Sequence, residues 1–111
     1  MAACAEETRE DMDDHGIPGT IQGHVGDGNF HATPLVDPDA PAEVAAMEAF
    51  LDRLAARAYA NGGTCSGEHG VGQGRRRCMA TEHGIAGLGM MRAIKTALDP
   101  LSILNPGKMP P

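Results

Sequence analysis

Two glycine-rich segments limit what this chain can fold into, because they interrupt regular structure on either side of its most helical stretch. The first covers residues 23–31 and the second covers residues 62–74. Glycine adopts backbone conformations that other residues rarely reach, so both segments are predicted to form turns or loops. Each segment also carries histidine and acidic side chains, which a sharply turning backbone can direct towards one point.

Hydrophobic periodicity predicts three helices and two short strands around these segments. The predicted helices cover residues 2–15, 41–61 and 88–98, with a helical turn at 78–84, and the predicted strands cover residues 20–24 and 32–36. Helix 41–61 has the clearest signals, with Asp39 as its expected N-terminal cap. Its apolar stripe is predicted to be core and consists of Val44, Met47, Leu51, Leu54 and Ala58.

These elements predict an α+β fold in which helices 41–61 and 88–98 pack on a partial antiparallel sheet. The strands would be joined by the first glycine-rich segment, which is longer than the commonest hairpin loops. Two strands alone are marginally stable in water, so further strands are expected in sequence outside this chain.

Charge and composition argue against some classes of partner. The net charge of −6 argues against nucleic acid, whose phosphates require a basic surface. The acidic groups within residues 6–14 and 37–52 are expected to form solvated helix faces. No apolar run approaches the ~20 residues of a membrane span. The three cysteines are odd in number and lack CxxC spacing, which suggests a reducing compartment and a cytoplasmic location.

The histidines and acids of the glycine-rich segments predict a divalent metal site. His24, His31 and Glu68 form a set of two imidazoles and one carboxylate, which leaves coordination positions open for substrate or water. Zinc, manganese and iron(II) all accept these ligands. Asp27 and Asn29 are candidates for hydrogen bonds that orient the ligands, and Asp27 alternatively stabilises a local turn. The competing interpretation is that each histidine simply caps a turn through hydrogen bonds.

Other polar residues near the second segment are candidates for catalysis and substrate binding. His69 follows Glu68 directly and is the candidate general base, because an imidazole titrates near neutral pH. Arg75, in the arginine run 75–77, is a candidate for binding a substrate carboxylate. The arginines are equally consistent with a run that is solvated or that pairs with nearby acids.

The chain closely resembles the C-terminal portion of FAD-linked 2-hydroxyacid dehydrogenases, which are flavoproteins of the vanillyl-alcohol oxidase type. The family includes D-lactate dehydrogenases and the flavin subunit of glycolate oxidase. The matching segments occur in the family's order and span nearly the whole chain, namely residues 23–31, residues 62–72, Ile94-Lys95, Asp99-Pro100 and residues 104–108.

The resemblance implies that His24, His31 and Glu68 bind the metal. It also implies that His69 removes the hydroxyl proton of a small 2-hydroxyacid while hydride passes to flavin. Asn105 matches a tail position that approaches FAD in the family. Thr33 stands where some relatives have asparagine, so it is expected to influence the substrate side chain.

Residues 1–111 are therefore expected to be a partial C-terminal oxidase domain, from the substrate or cap domain of such a flavoprotein. The family's FAD-binding domain lies upstream and is expected to be absent, so the chain is expected to be inactive alone. Self-association, a partner chain that completes the sheet and peripheral membrane attachment through an electron acceptor are all open alternatives. The alternatives are a stand-alone metal-binding or protein-interaction module and a metallohydrolase with the same ligands.

Overall fold

The computed structural model describes residues 1–109 and forms two compact units, the first ending at Gly63 and the second beginning at Thr64. The first unit contains α1 (Ala2–Asp14), β1 (Gly19–His24), β2 (Asn29–Pro34) and α2 (Pro41–Ala60). A short 3-10 turn, Val25–Asp27, joins the strands. The second unit contains a 3-10 turn, Arg76–Cys78, and α3 (Met79–Leu98). The predicted combination of helices and a small antiparallel sheet is confirmed.

The core of the first unit is small and draws on both helices. Met12 of α1, Ile17 after α1 and Phe50 of α2 are buried together. Ile21 of β1 and Ala32 of β2 pack against them, so one face of the hairpin covers this cluster. The core of the first unit is thus formed by one face of the hairpin together with α1 and α2.

The strands of the hairpin are longer, and the turn between them shorter, than the sequence predicts. The expected start of β2 is Ala32, but pairing of Gly23 with Phe30 and of His24 with Asn29 starts it three residues earlier. A side chain at Gly23 would place its Cβ 2.4 Å from the carbonyl oxygen of Asn29. Glycine at this position therefore permits the close backbone pairing that extends the strand to His24.

Two details of α2 differ from expectation. Asp39 does not cap the helix: Ala40 occupies the N-cap position without a side-chain hydrogen bond. Pro41 supplies the first helical residue, where its missing N–H is not needed. Phe50, which lies outside the predicted stripe, is the fully buried residue of α2, whereas Leu51 and Leu54 of that stripe are half-buried around it.

The acidic face of α1 is not uniformly solvated, in contrast to the expectation from sequence. Asp11 is buried and accepts hydrogen bonds from Arg53 Nε at 2.9 Å and from Arg57 Nη2 at 2.8 Å. Hydrogen bonds from Arg53 lower the pKa of Asp11 from 3.8 to about 2, against the opposing effect of burial. Arg57 also donates to Thr8 Oγ1 at 3.0 Å. These contacts join α1 to α2 in addition to the apolar core.

The second unit has a helix with a break at the predicted position. Gly84 has a φ of 68°, which separates the first turn of α3 from the longer segment after it. Leu88 is buried, whereas Ile94 and Leu98 are 54% and 77% exposed, and packing of this helix on a sheet stays a prediction. Within the described part of this unit, no strand is present that they could cover.

Asp99 ends α3 and orders the chain after it. Its buried carboxylate accepts hydrogen bonds from Lys95 Nζ and from the backbone N–H groups of Ile103 and Leu104, the latter two at 3.0 and 3.1 Å. The hydrogen bond from Lys95 is the main reason that the pKa of Asp99 lies below its ordinary value. Among residues 1–109, no helix is long and apolar enough to cross a membrane.

Candidate metal centre and catalytic loop

The antiparallel register places four of the predicted site residues on one face of the hairpin. His24 pairs directly with Asn29, and side chains alternate between the two faces along each strand. Directly paired residues share a face, and so do residues two positions apart. The residues that share this face are His24, Asn29, His31 and Thr33. This face is opposite to the one that packs on the core, so polar chemistry and core packing are separated.

The two histidines of this face lie close together. Their ring centroids are 5.6 Å apart and their planes are nearly perpendicular, at 89°. Each imidazole nitrogen binds a transition metal at about 2.0–2.1 Å, so small ring rotations would bring one nitrogen of each ring to the same ion. His24 is exposed and His31 is half-buried, which leaves the pair accessible. The arrangement fits two imidazole ligands on adjacent strands.

Residues predicted to orient the ligands lie beside this pair. Asn29 pairs with His24 and is half-buried, as the first residue of β2. Asp27 is exposed in the 3-10 turn, and the next residue, Gly28, has a φ of +71°. That positive φ favours glycine and allows the chain to reverse. The orienting roles of Asp27 and Asn29 stay predictions.

Glu68 and His69 lie in the glycine-rich loop at the start of the second unit. His69 Nε2 is 3.2 Å from Glu68 Oε1, so the predicted third ligand and the predicted base are in contact with each other. Both side chains are substantially exposed. When Nε2 carries the hydrogen it donates to Glu68, and Nδ1 is then the nitrogen whose lone pair can accept a proton. The loop thus presents a carboxylate with one oxygen outside this contact, next to an imidazole that can act as a base.

Two of the three arginines in the run 75–77 stabilise the loop and the tail. Arg75 donates from Nη1 to the carbonyl oxygen of Gly70 at 3.4 Å, and its side chain is exposed. Arg76 is half-buried and donates to the carbonyl oxygen of Gly107 at 2.8 Å. The alternative of a fully solvated run is therefore wrong for Arg76. Binding of a substrate carboxylate by Arg75 stays a prediction.

Asn105 lies at the rim of an open depression within the second unit. The depression has a volume of about 570 Å³, and its lining includes Gln73, Lys95, Asn105 and Lys108. Asn105 has a φ of 47°, and its carbonyl accepts a hydrogen bond from the N–H of Lys108 at 3.2 Å. Asparagine tolerates this left-handed conformation better than most residues do. The predicted approach of Asn105 to FAD stays a prediction.

Sequence reasoning missed one residue that contacts the glycine-rich loop of the second unit. Glu82, in the first turn of α3, accepts a hydrogen bond from the backbone N–H of Cys65 at 3.4 Å. The available signal was an acidic residue in the first turn of a helix that comes after a glycine-rich loop. That signal is weak, because acidic residues are common at this position for reasons of helix electrostatics alone.

Comparison with known proteins supports a family relationship. A 103-residue stretch is 46% identical to a probable mitochondrial D-lactate dehydrogenase of Danio rerio and covers 93% of this chain and 21% of that protein. Identity is 44% to the mitochondrial D-lactate dehydrogenase [cytochrome] 1 of Saccharomyces cerevisiae, over 93% of this chain and 17% of the relative. Identity is 40% to the glycolate oxidase subunit GlcD of Bacillus subtilis, over 78% of this chain and 18% of the relative.

This chain thus spans about a fifth of the length of these relatives. The model of the family described as "FAD linked oxidases, C-terminal domain" matches residues 1–109, which is nearly the whole chain. The match includes both the hairpin with its two histidines and the glycine-rich loop. The chain therefore belongs to the family of FAD-linked oxidases, as a C-terminal domain of that family.

Proposed function

We propose that this chain is the metal- and substrate-binding C-terminal portion of an FAD-dependent D-2-hydroxyacid dehydrogenase that acts on D-lactate or glycolate. The observation that carries the proposal is the His24–His31 pair on the face of the hairpin that does not pack on the core. Family membership supports it, as do the names of relatives that include D-lactate dehydrogenases and glycolate oxidase subunits.

The proposed metal ligands are His24, His31 and Glu68. Imidazole and carboxylate donors suit zinc, manganese or iron(II), and three protein ligands leave positions for substrate oxygens. A bound divalent ion would polarise the substrate hydroxyl and make its proton easier to remove. Glu68 would bind through the oxygen that is not in contact with His69, so one carboxylate would serve both partners.

His69 is the proposed general base. The proton of the substrate hydroxyl would pass to Nδ1 of His69, bound FAD would supply the acceptor for the hydride of carbon 2, and the alcohol would become a 2-oxo acid. The contact between Nε2 and Glu68 orients the ring and stabilises the imidazolium that forms. Removal of such a positioned base costs about 10²–10⁴ in rate.

Two further residues are proposed to bind the substrate. Arg75 is exposed and contacts Gly70 of the glycine-rich loop that carries Glu68 and His69. A guanidinium can bind a carboxylate through two parallel hydrogen bonds. Thr33 is exposed on the same hairpin face as His31, two residues along β2. We propose that Arg75 binds the carboxylate and that Thr33 lies near the substituent on carbon 2.

We propose that FAD is bound mainly by sequence outside these 111 residues, with Asn105 as this chain's contribution. Exposed apolar side chains support a partner region, because their burial against another surface would be favourable. In the second unit the most exposed of them are Ile85, Leu98, Leu101 and Ile103, at 70–86%. They favour a domain that needs its flavin-binding region over a stand-alone binding module.

The cellular location is also a proposal. The sequence favours a reducing, cytoplasmic environment, whereas the names of the animal and yeast relatives specify mitochondria. Both locations are compatible with a peripheral electron acceptor. Fractionation of cells that produce the protein from its native gene would discriminate between them.

Metal binding and substrate oxidation test the proposed function separately. The 111-residue chain is titrated with Mn²⁺ by calorimetry, and one ion per chain is expected. The chain is then supplied with a flavin-binding region of the same family, and oxidation of D-lactate, glycolate and L-lactate is compared. Turnover of D-lactate or glycolate above that of L-lactate is expected. Absence of Mn²⁺ and Zn²⁺ binding, or hydrolysis of a test ester by the metal-loaded chain alone, would contradict the proposal.

A further inference from the structure

Glu82 connects the first turn of α3 to the start of the glycine-rich loop that carries Glu68 and His69. Its side chain is only 15% exposed, although it is ionisable. One carboxylate oxygen accepts the backbone N–H of Cys65 at 3.4 Å, and the carboxylate also interacts with the hydroxyl of Thr64 and the thiol of Cys65. A single acidic side chain thus contacts two successive residues at the beginning of the loop.

These contacts stabilise the ionised form of Glu82. Burial would raise the pKa of Glu82, but the hydrogen bonds from Thr64 and Cys65, together with nearby His83, lower it below its ordinary value. Hydrogen bonds to an ionised acceptor are roughly twice as strong as those between neutral groups. The link therefore joins an ionised carboxylate to donors on two successive residues of the loop.

The link restrains the segment of the loop that carries the two proposed catalytic residues. Glu68 is three residues beyond Cys65, and an extended chain covers at most ~3.3–3.6 Å per residue. With Cys65 held, the Cα of Glu68 is limited to a region within roughly 11 Å of it. On the other side, Arg75 contacts the carbonyl oxygen of Gly70. Glu68 and His69 therefore lie between two attachment points.

The loop needs such attachment because of its composition. Glycine loses more conformational freedom on ordering than any other residue, and Gly67, Gly70 and Gly72 all lie in this stretch. Without Glu82, the segment that carries Glu68 and His69 would sample many more conformations. Catalytic groups need to be held within a fraction of an ångström of their working geometry.

We infer that Glu82 is a positioning residue that holds the loop so that Glu68 and His69 can reach the metal and the substrate. The inference rests on the proposed function, in which Glu68 is a metal ligand. It assigns Glu82 no contact with substrate, metal or flavin. Its effect is expected on metal affinity as well as on turnover.

The test compares Mn²⁺ affinities of variants at both ends of the link, at a temperature well below unfolding. Glu82→Gln removes the charge at nearly constant shape, and Thr64→Val removes the hydroxyl donor while its matched control, Thr64→Ser, retains it. Both Glu82→Gln and Thr64→Val are expected to weaken Mn²⁺ binding. For Glu82→Gln we expect a loss of about tenfold, which is the lower limit for residues that orient metal ligands. Thr64→Ser and Thr81→Ala, an exposed site one residue before Glu82, are expected to bind as the unmodified chain does.

Amide hydrogen exchange gives a second readout. Faster exchange confined to residues 64–70 in Glu82→Gln would support a positioning role, whereas unchanged exchange there would contradict it. If Glu82→Gln does not fold, the Thr64 pair decides the matter. Normal Mn²⁺ affinity in Glu82→Gln or Thr64→Val would overturn this inference and leave the proposed function intact. Failure of the unmodified chain to bind Mn²⁺ would instead overturn both.

Discussion

Arg53 donates hydrogen bonds from both Nε and Nη2 to the carboxylate of Asp11, across 42 residues of sequence. The acceptor lies on α1 and the donor on α2, so this ion pair ties together the two helices of the first unit. Arg57 adds a further hydrogen bond to the same carboxylate. A buried acid is stable here because two cations satisfy its oxygens.

Replacement of Asp11 by asparagine is expected to lower the free energy of unfolding by about 1–3 kcal/mol, because charged hydrogen bonds are lost. Asp13→Asn is the matched control, since Asp13 is exposed and pairs with Arg9 one turn away on the same helix. That change is expected to cost less than about 0.5 kcal/mol. Urea denaturation followed by circular dichroism measures both values, and equal costs would contradict the importance of the Asp11 network.

The same carboxylate predicts a pH dependence of stability. Its pKa is about 2 in the folded chain against an ordinary value of 3.8, so the unfolded chain binds the proton more readily. The stabilisation is therefore complete above about pH 4 and is lost as the pH falls towards about 2. Its size is about 2 kcal/mol, because one pKa unit corresponds to about 1.4 kcal/mol. Asp11→Asn should reduce the slope of unfolding free energy against pH in this range, and an unchanged slope would contradict the assignment.

A methyl group at Gly23 is expected to disturb the hairpin. An added Cβ would lie 2.4 Å from the carbonyl oxygen of Asn29, so Gly23→Ala must separate the strands or shift their register. Gly26→Ala is the control, because no atom outside its chain neighbours lies within 4 Å of an added Cβ there. The unfolding temperature and the Mn²⁺ affinity should both fall in Gly23→Ala and change little in Gly26→Ala. Similar behaviour of the two variants would exclude the close pairing at Gly23.

Removal of one imidazole tests the proposed metal ligands. His31→Ala is expected to weaken Mn²⁺ binding by more than about tenfold. Loss of a residue that only hydrogen-bonds to a metal ligand already lowers metal affinity by about tenfold or more. His15→Ala removes the histidine that ends α1, outside the proposed site, and should leave affinity unchanged. Calorimetric titration of the two folded variants measures the difference. Equal affinities would remove His31 from the ligand set.

Substitutions of the neighbouring loop residues Glu68 and His69 are expected to lower different properties, metal affinity for the first and turnover for the second. In the enzyme completed with its flavin-binding region, His69→Gln should lower turnover by about 10²–10⁴ without a comparable loss of metal affinity. Glu68→Gln should lower metal affinity first, because a neutral amide is a poorer ligand than a carboxylate. Steady-state rates combined with metal titrations separate the two effects. Normal turnover in His69→Gln would remove the assignment of the base.

Local sequence signals predict the helices well and the strands less well. The predicted first helix, 2–15, agrees with α1 to within one residue, because Gly16 and Pro18 follow it directly, and Gly84 marks the break in α3. The same signals place residues 29–31 in the turn, because three nearby glycines argue against regular structure. Strand pairing overrides that local preference, since the ladder between Gly23 and Phe30 forms only when both strands are present.

The types of residue at the candidate site were predictable, but their supports were not. Histidines and a carboxylate in glycine-rich sequence indicate metal chemistry without any knowledge of the fold. The contact of Glu82 with Cys65 spans 17 residues and depends on the path of the loop. In the same way, nothing local distinguishes Asp11 from Asp13, although one is buried against arginines and the other is exposed.

The two faces of the hairpin have a consequence for how the proposed site could diversify. Ile21 and Ala32 maintain packing on one side, while Thr20, Gln22 and Thr33 stand beside the histidines on the other. Substitutions at Thr20, Gln22 and Thr33 leave the buried cluster unchanged, so they are expected to have little effect on the free energy of unfolding. Descendants of such a chain can therefore vary the polar residues beside the two histidines while the core of the first unit stays intact.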